Sequence, residues 1–75
     1  MMNRQQIEWT YNHIERLTVE YLKVFPFNEK TWESLTDETR KIAADSKDNP
    51  DVIKLLLVML DYFDNLDKEY RRLSK

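Results

Sequence analysis

Three aspartates in the stretch LDYFDNLDKEY come closest, in this chain of 75 residues, to a catalytic pattern. Asp61, Asp64 and Asp67 are spaced three residues apart, and aspartate-rich helices can hold Mg²⁺ together with a diphosphate substrate. That chemistry needs carboxylates from facing helices that converge on one ion. No second cluster of this kind occurs in the sequence, and two of the three aspartates have a Lys or Arg four residues on. We therefore interpret them as a solvated, salt-paired helix face and expect no metal site.

The other chemistry-bearing residue types are scarce. The chain has one histidine, His13, and neither cysteine nor glycine. A lone His without a nearby nucleophile or paired carboxylate lacks the groups of a hydrolytic site. Thiolate metal sites and disulfides need cysteine, and phosphate-binding loops need glycine at fixed spacing. We therefore expect no enzymatic activity and no cofactor, and we expect His13 to lie in solvent.

Composition narrows the class of protein further. The net charge is −2, from 12 basic and 14 acidic residues, whereas a nucleic-acid partner normally requires a basic stripe. At 41% hydrophobic residues the chain is too apolar for a disordered tail. No run approaches the ~20 apolar residues that span a bilayer, and the first residues do not resemble a signal peptide. These features predict a folded cytoplasmic protein with no membrane association, and they disfavour a nucleic-acid partner.

Apolar residues recur at helical spacing in three segments that are separated at the two prolines. The spacing predicts helices over about residues 3–25, 29–46 and 50–73. The second segment forms either one helix or two short helices that meet near Leu35. Connections of a few residues force neighbouring helices to run antiparallel. The sequence therefore predicts an all-α fold, an antiparallel up-down-up three-helix bundle, as a single domain over residues 1–75.

Local signals mark the starts of the second and third helices. Asn28 and Asn49 are expected N-caps, because a short polar side chain can accept from the unpaired amides of the first turn. Pro50 then occupies the first helical position, where its missing N–H has no consequence. Phe27 and Trp32 have the spacing of a hydrophobic staple, in which a residue before the cap packs against one a turn into the helix.

The apolar faces of the first and third helices are both long. The first helix is expected to turn one stripe to the core: Ile7, Tyr11, Ile14, Leu17, Tyr21, Leu22 and Phe25. The third helix carries a heptad seam: Val52, Leu56, Met59, Phe63, Leu66, Tyr70 and Leu73. A second stripe lies beside that seam: Ile53, Leu57 and Leu60. The first half of this helix must therefore be covered on two sides.

The seam of the third helix predicts self-association. The second helix is shorter than the third and cannot reach both of its ends, so part of the seam stays uncovered inside one chain. Chains under ~80 residues rarely gain more than ~3–5 kcal/mol from their own core, which favours oligomerisation as a further source of stability. We therefore expect a homodimer through the third helix, in which either the second stripe or the end of the seam meets the second copy. The partner-binding residues expected at the end of the seam are Leu66, Tyr70 and Leu73.

Trp9 does not belong to the apolar stripe of the first helix. On a helical wheel it falls opposite the apolar stripe, beside Met2, His13 and Arg16. Trp, Met and Arg are enriched at the centres of protein interfaces. Either these four residues form a docking surface for another protein, or Trp9 packs on N-terminal residues or a neighbouring helix because the wheel is displaced by one position.

The functional prediction follows from the surplus of apolar surface and the lack of a catalytic set. We expect a small non-catalytic protein-interaction or regulatory module, with an inhibitor, immunity-like or adaptor role, that binds a protein partner through an apolar or aromatic helix face. The alternative is a small nucleic-acid-associated regulator that uses the basic end of the third helix. The basic residues of that end are Lys68, Arg71, Arg72 and Lys75.

Overall fold

A computed structural model describes residues 2–74, and within this range the chain forms three α-helices and no β-strand. Helix α1 spans Arg4–Leu22, α2 spans Glu29–Asp45 and α3 spans Pro50–Leu73. Each helix packs against the other two, and the molecule measures 45 × 19 × 19 Å. The predicted all-helical class is confirmed, and the arrangement is consistent with a three-helix bundle. α2 is one unbroken helix, and α1 ends three residues earlier than expected.

Every helix starts at an asparagine that satisfies amides of the first turn. Asn3 Oδ1 accepts from the Gln6 amide at 2.9 Å, and the Gln6 side chain accepts from the Asn3 amide at 3.0 Å, so the two form a capping box. Asn28 Oδ1 accepts from the amide three residues on at 2.8 Å, and Asn49 Oδ1 from the amide two residues on at 2.9 Å. The expected caps at Asn28 and Asn49 are confirmed, and each such cap stabilises its helix by ~1 kcal/mol.

The turn between α2 and α3 is tight although it contains no glycine. Lys47 and Asp48 adopt left-handed backbone conformations, with φ of 58° and 56°. Their amides donate to the carbonyls of Ala44 and Ala43, both at 2.9 Å. These bonds satisfy carbonyl groups that the end of a helix otherwise leaves unpaired. They offset a cost of about 1 kcal/mol for each non-glycine residue held in that conformation.

The connection between α1 and α2 brings aromatic rings into the core. Phe27 packs edge-on against Trp32, with ring centroids 5.0 Å apart, which confirms the expected staple. Phe27 also contacts Tyr21 of α1 and Phe63 of α3, at 5.8 and 5.3 Å. One loop residue thus joins all three helices at this end of the molecule.

The core combines residues from all three helices and this loop. Its buried hydrophobic members are Leu17, Tyr21, Phe27, Leu35, Ile42, Val52, Leu56, Met59 and Phe63. The first four positions of the predicted α3 seam are all among them. Beyond Phe63 the seam loses its cover, because Leu66 is only half-buried and the later members are exposed.

The prediction for the core face of α1 is wrong in part. Thr10, Leu17 and Tyr21 are the buried residues of this helix, whereas Ile7 and Tyr11 are exposed. The face that meets the core is therefore rotated away from the expected stripe, toward the side that carries Thr10.

A hydrogen bond explains why a polar residue takes the core position. Thr10 Oγ1 donates to the Gln6 carbonyl at 2.7 Å, so its hydroxyl is satisfied inside the helix although the residue is fully buried. Thr39 of α2 does the same with the Leu35 carbonyl, also at 2.7 Å. Threonine bonded in this way is buried with little penalty, and a pattern based on hydropathy misplaces it.

Tyr21 fastens α1 to α2. Its phenol donates to Glu38 Oε2 at 2.7 Å. Because the phenol has one proton, the Ser34 hydroxyl is the donor in the 3.0 Å contact with the same oxygen. Burial raises the pKa of Tyr21, the carboxylate of Glu38 raises it further, and the bond from Ser34 opposes both effects.

Candidate protein interface

The residues predicted to form a patch around Trp9 do lie together, but part of the patch belongs to the core. Met2 and Trp9 are half-buried and pack against the hydrophobic core. His13 is half-buried rather than solvent-exposed, with its ring centroid 4.6 Å from that of Trp9. Arg16 is exposed, and its guanidinium contacts His13 Nδ1 and Glu20 Oε2, each at 3.5 Å. Trp9 thus does not stand on an open polar face, which was one of the two alternatives.

Trp9 lines a depression of about 420 Å³. The depression lies where the start of α1, the end of α2 and the start of α3 meet. Its lining residues are Asn3, Gln5, Gln6, Trp9, Asp45, Ser46, Lys47 and Val52. Of the two alternatives for Trp9, the structure therefore agrees with packing near neighbouring helices.

The end of the α3 seam remains open to solvent. Leu66 is half-buried against the core, Tyr70 is exposed on one side and packs edge-on against Phe25 at 5.6 Å, and Leu73 is exposed. Asp67, between them, was expected on the solvated side but is buried. Its carboxylate is 3.0 Å from Arg71 Nε, so the predicted ion pair is present and compensates for that burial.

An exposed apolar line runs along α1 and was not expected as a site. It consists of Ile7, Tyr11 and Leu22, which we call the α1 line. The sequence pattern placed all three in the core. A signal against that placement was present: Tyr21 and Leu22 are adjacent, so their side chains point ~100° apart and cannot both face one core.

The outward side of α3 carries a second exposed apolar group. Leu57 and Val58 are 57% and 67% exposed, and Tyr62 lies close to them. A shallow depression is lined by Leu57, Val58, Leu60, Asp61 and Asp64. We call Lys54, Leu57, Val58 and Asp61 the α3 face.

The charged groups at the end of α3 are paired within the helix. Its ion pairs are Asp64–Lys68 at 3.1 Å, Asp67–Arg71 at 3.0 Å and Glu69–Arg72 at 3.8 Å. Each cation of this end that the structure describes therefore already has a carboxylate beside it, while Lys75 lies outside the described residues. The alternative of a nucleic-acid contact remains a prediction, and a phosphate group would compete with these carboxylates for the cations.

The α1 line and the apolar residues of the α3 face are exposed on the surface of residues 2–74. Within that range no group of three or more His, Cys, Asp or Glu residues is placed to hold a metal ion. None of the three helices is long and apolar enough to cross a membrane. Comparison with protein families, with curated proteins and with solved structures finds no match.

Proposed function

We propose that this protein is a non-catalytic interaction module that binds another protein through the α1 line. The observation that carries the proposal is exposure. Ile7, Tyr11 and Leu22 are 39%, 53% and 41% exposed, although they follow the spacing of a helix face that is normally buried. Ile7 and Tyr11 lie one turn apart, and Leu22 lies three turns further along the same side of α1. Exposed apolar residues grouped on one side of a small soluble protein mark sites of interaction.

The proposed up-down-up arrangement leaves this line open along its length. Two observations support that arrangement. Tyr21, near the end of α1, bonds Ser34 near the start of α2, and the depression beside Trp9 joins the start of α1 to the end of α2. With α2 and α3 packed on the inner side of α1, the α1 line stays on the outside. From Ile7 to Leu22 it extends about 22 Å, at ~1.5 Å per residue.

Such a line fits a groove between helices or on a sheet of the partner, which would receive its side chains at successive turns. A half-exposed Tyr or Leu side chain contributes about 1 kcal/mol when it is fully buried. Loss of Tyr11 and Leu22 together should therefore weaken binding about 30-fold, at ~1.4 kcal/mol per factor of ten.

The other predicted partner-binding residues remain predictions with a weaker basis. Met2 and Trp9 already contribute part of their surface to the core. Leu73, which is 76% exposed, is the strongest of the remaining residues, and the test below treats it as the competing site. The cytoplasmic location and the absence of enzymatic activity also stay predictions.

The test is affinity capture from the native host, with the wild-type chain as bait beside the double variant Tyr11→Ser/Leu22→Ser. Leu73→Ser is the matched control, because it removes an exposed leucine of another helix. We expect the wild type and the control to retain the same partner protein and the double variant to lose it, while all three keep the same far-ultraviolet circular dichroism.

Retention of that partner by the double variant would overturn the proposal. Loss of the partner in Leu73→Ser alone would move the interface to the end of α3. Measurement of the dissociation constant by titration calorimetry with the identified partner then checks the expected factor of about 30.

A further inference from the structure

We infer that the α3 face is a two-fold symmetric interface with a second copy of this chain. The two α3 helices cross antiparallel at a point between Leu57 and Val58, and reciprocal Lys54–Asp61 ion pairs close the contact on both sides. This surface lies on a different helix from the α1 line, and the inference stands independently of the proposed function.

The spacing on α3 is symmetric about that point. Lys54 and Asp61 are seven residues apart, which is two helical turns with a drift of only ~20°, so both lie on one line along the helix. Leu57 and Val58 occupy the turn midway between them. All four residues are exposed, so the α3 face offers an apolar centre with an amine about 5 Å to one side and a carboxylate about 5 Å to the other.

Both charges lack a partner within the described part of the chain. Neither Lys54 nor Asp61 forms an ion pair there, whereas the acids further along α3 pair with a base in the same helix. The positions four residues away from Lys54 and Asp61 on the helix are Pro50, Val58, Leu57 and Asn65. The helix therefore cannot supply an i,i+4 partner of the kind that Asp64 and Asp67 have.

A two-fold axis supplies the missing partner from the second copy. In a symmetric dimer every contact between two different residues occurs twice. With the axis between Leu57 and Val58, Lys54 of each copy faces Asp61 of the other, and both apolar residues lie beside their own counterparts. A parallel alignment would instead bring Lys54 against Lys54 and Asp61 against Asp61.

One other antiparallel register brings Asp61 to a lysine of α3, namely Lys68. That lysine already pairs with Asp64 at 3.1 Å. The register would also place Leu57 and Val58 opposite the arginines at the end of the helix, Arg72 and Arg71. Only the register centred on Leu57 and Val58 matches apolar with apolar and acid with base, which is why the occupant is a second copy of this chain.

The test measures self-association of the full chain by sedimentation equilibrium. Lys54→Asp and Asp61→Lys each put like charges opposite one another at two positions, and we expect each to raise the dimer dissociation constant about tenfold or more. The double variant Lys54→Asp/Asp61→Lys restores both attractions with their signs exchanged and should return to within about threefold of the wild type. The control Lys41→Asp on α2 changes net charge as Lys54→Asp does and should leave the constant unchanged.

A cysteine variant gives a second readout. Because the chain has no cysteine, Val58→Cys introduces its sole thiol, beside the proposed axis. Mild oxidation should link Val58→Cys into dimers faster than Glu33→Cys, an exposed position on α2. The inference would be overturned if the wild-type chain stayed monomeric at about 1 mM or if the charge reversals left the dimer unchanged. It would also be overturned if the double variant failed to recover or if the two cysteine variants were linked at equal rates.

Discussion

Replacement of Tyr21 by phenylalanine isolates the polar link between α1 and α2. The side chain is buried, with its ring in the core and its phenol bonded to Glu38 and Ser34 of α2. Phenylalanine keeps the ring and its contact with Phe27 but removes the hydroxyl. The variant therefore tests the hydrogen bonds with little change in packing volume.

The expected cost follows from the charge on Glu38. A hydrogen bond to a charged group contributes about 1.5–3 kcal/mol. Glu38 is only half-buried, so water can replace part of the lost bond, and we expect the lower end, about 1.5 kcal/mol. Urea unfolding at pH 7, followed by circular dichroism at constant m-value, measures this difference in the free energy of unfolding.

The pH dependence gives a second, independent signature. The pKa of Tyr21 is raised in the folded state by burial first, so the phenol stays protonated there when the unfolded chain ionises. Its contribution to stability is complete below the unfolded pKa of about 10 and is lost as pH rises through the folded pKa. The stability advantage of wild type over Tyr21→Phe should therefore shrink above pH ~10, whereas lysine ionisation is common to both proteins and cancels.

Two results would refute this reasoning. One is equal stability of wild type and Tyr21→Phe at pH 7. The other is a difference that stays constant as pH rises from about 8 to 11. Tyr11→Phe is the matched control, because Tyr11 is exposed, and it should change stability by less than ~0.5 kcal/mol.

Two further substitutions test the core and the turn after α2. Phe63→Ala empties a position with 0% exposure and should cost about 3–5 kcal/mol, so its thermal midpoint by circular dichroism should fall far below that of wild type. The control Val19→Ala replaces a residue that is 50% exposed and outside both proposed surfaces, and it should lie close to wild type; equal midpoints for the two variants would contradict the described core. Lys47→Gly relieves a left-handed backbone with φ of 58° and should raise the free energy of urea unfolding by ~0.5–1 kcal/mol. Lys41→Gly within α2 should lower it by about as much, and the same sign for both glycines would contradict the turn geometry.

Helix positions and their starts were predictable from the sequence because they depend on neighbouring residues. Asn28, Asn49 and Pro50 act within one turn of the chain, and the staple between Phe27 and Trp32 spans five residues. The first half of the α3 seam was also predictable, because its apolar pattern is wide enough to tolerate a small error in direction.

The candidate interfaces were harder to predict, because exposure depends on which side of a helix its neighbours occupy. Periodicity indicates that α1 has an apolar side, but the stripe of α1 covers Tyr21 and Leu22 alike, and only Tyr21 is buried. The two alternatives for Trp9 could not be separated from the sequence for the same reason. The α3 face contains Leu57, which was expected in a second stripe against a helix but lies in solvent.

The amino-acid sequence by itself determined that this protein is helical and where its helices start, since caps, prolines and periodicity act over a few residues. The tertiary structure decided which residues of each helix are covered. It turned Thr10 and Asp67 inward, each with its own hydrogen-bonding or charged partner, and left the α1 line and the α3 face outside. The physical reason is that the packing of three helices sets their rotation, and a rotation of less than one residue step exchanges core for surface.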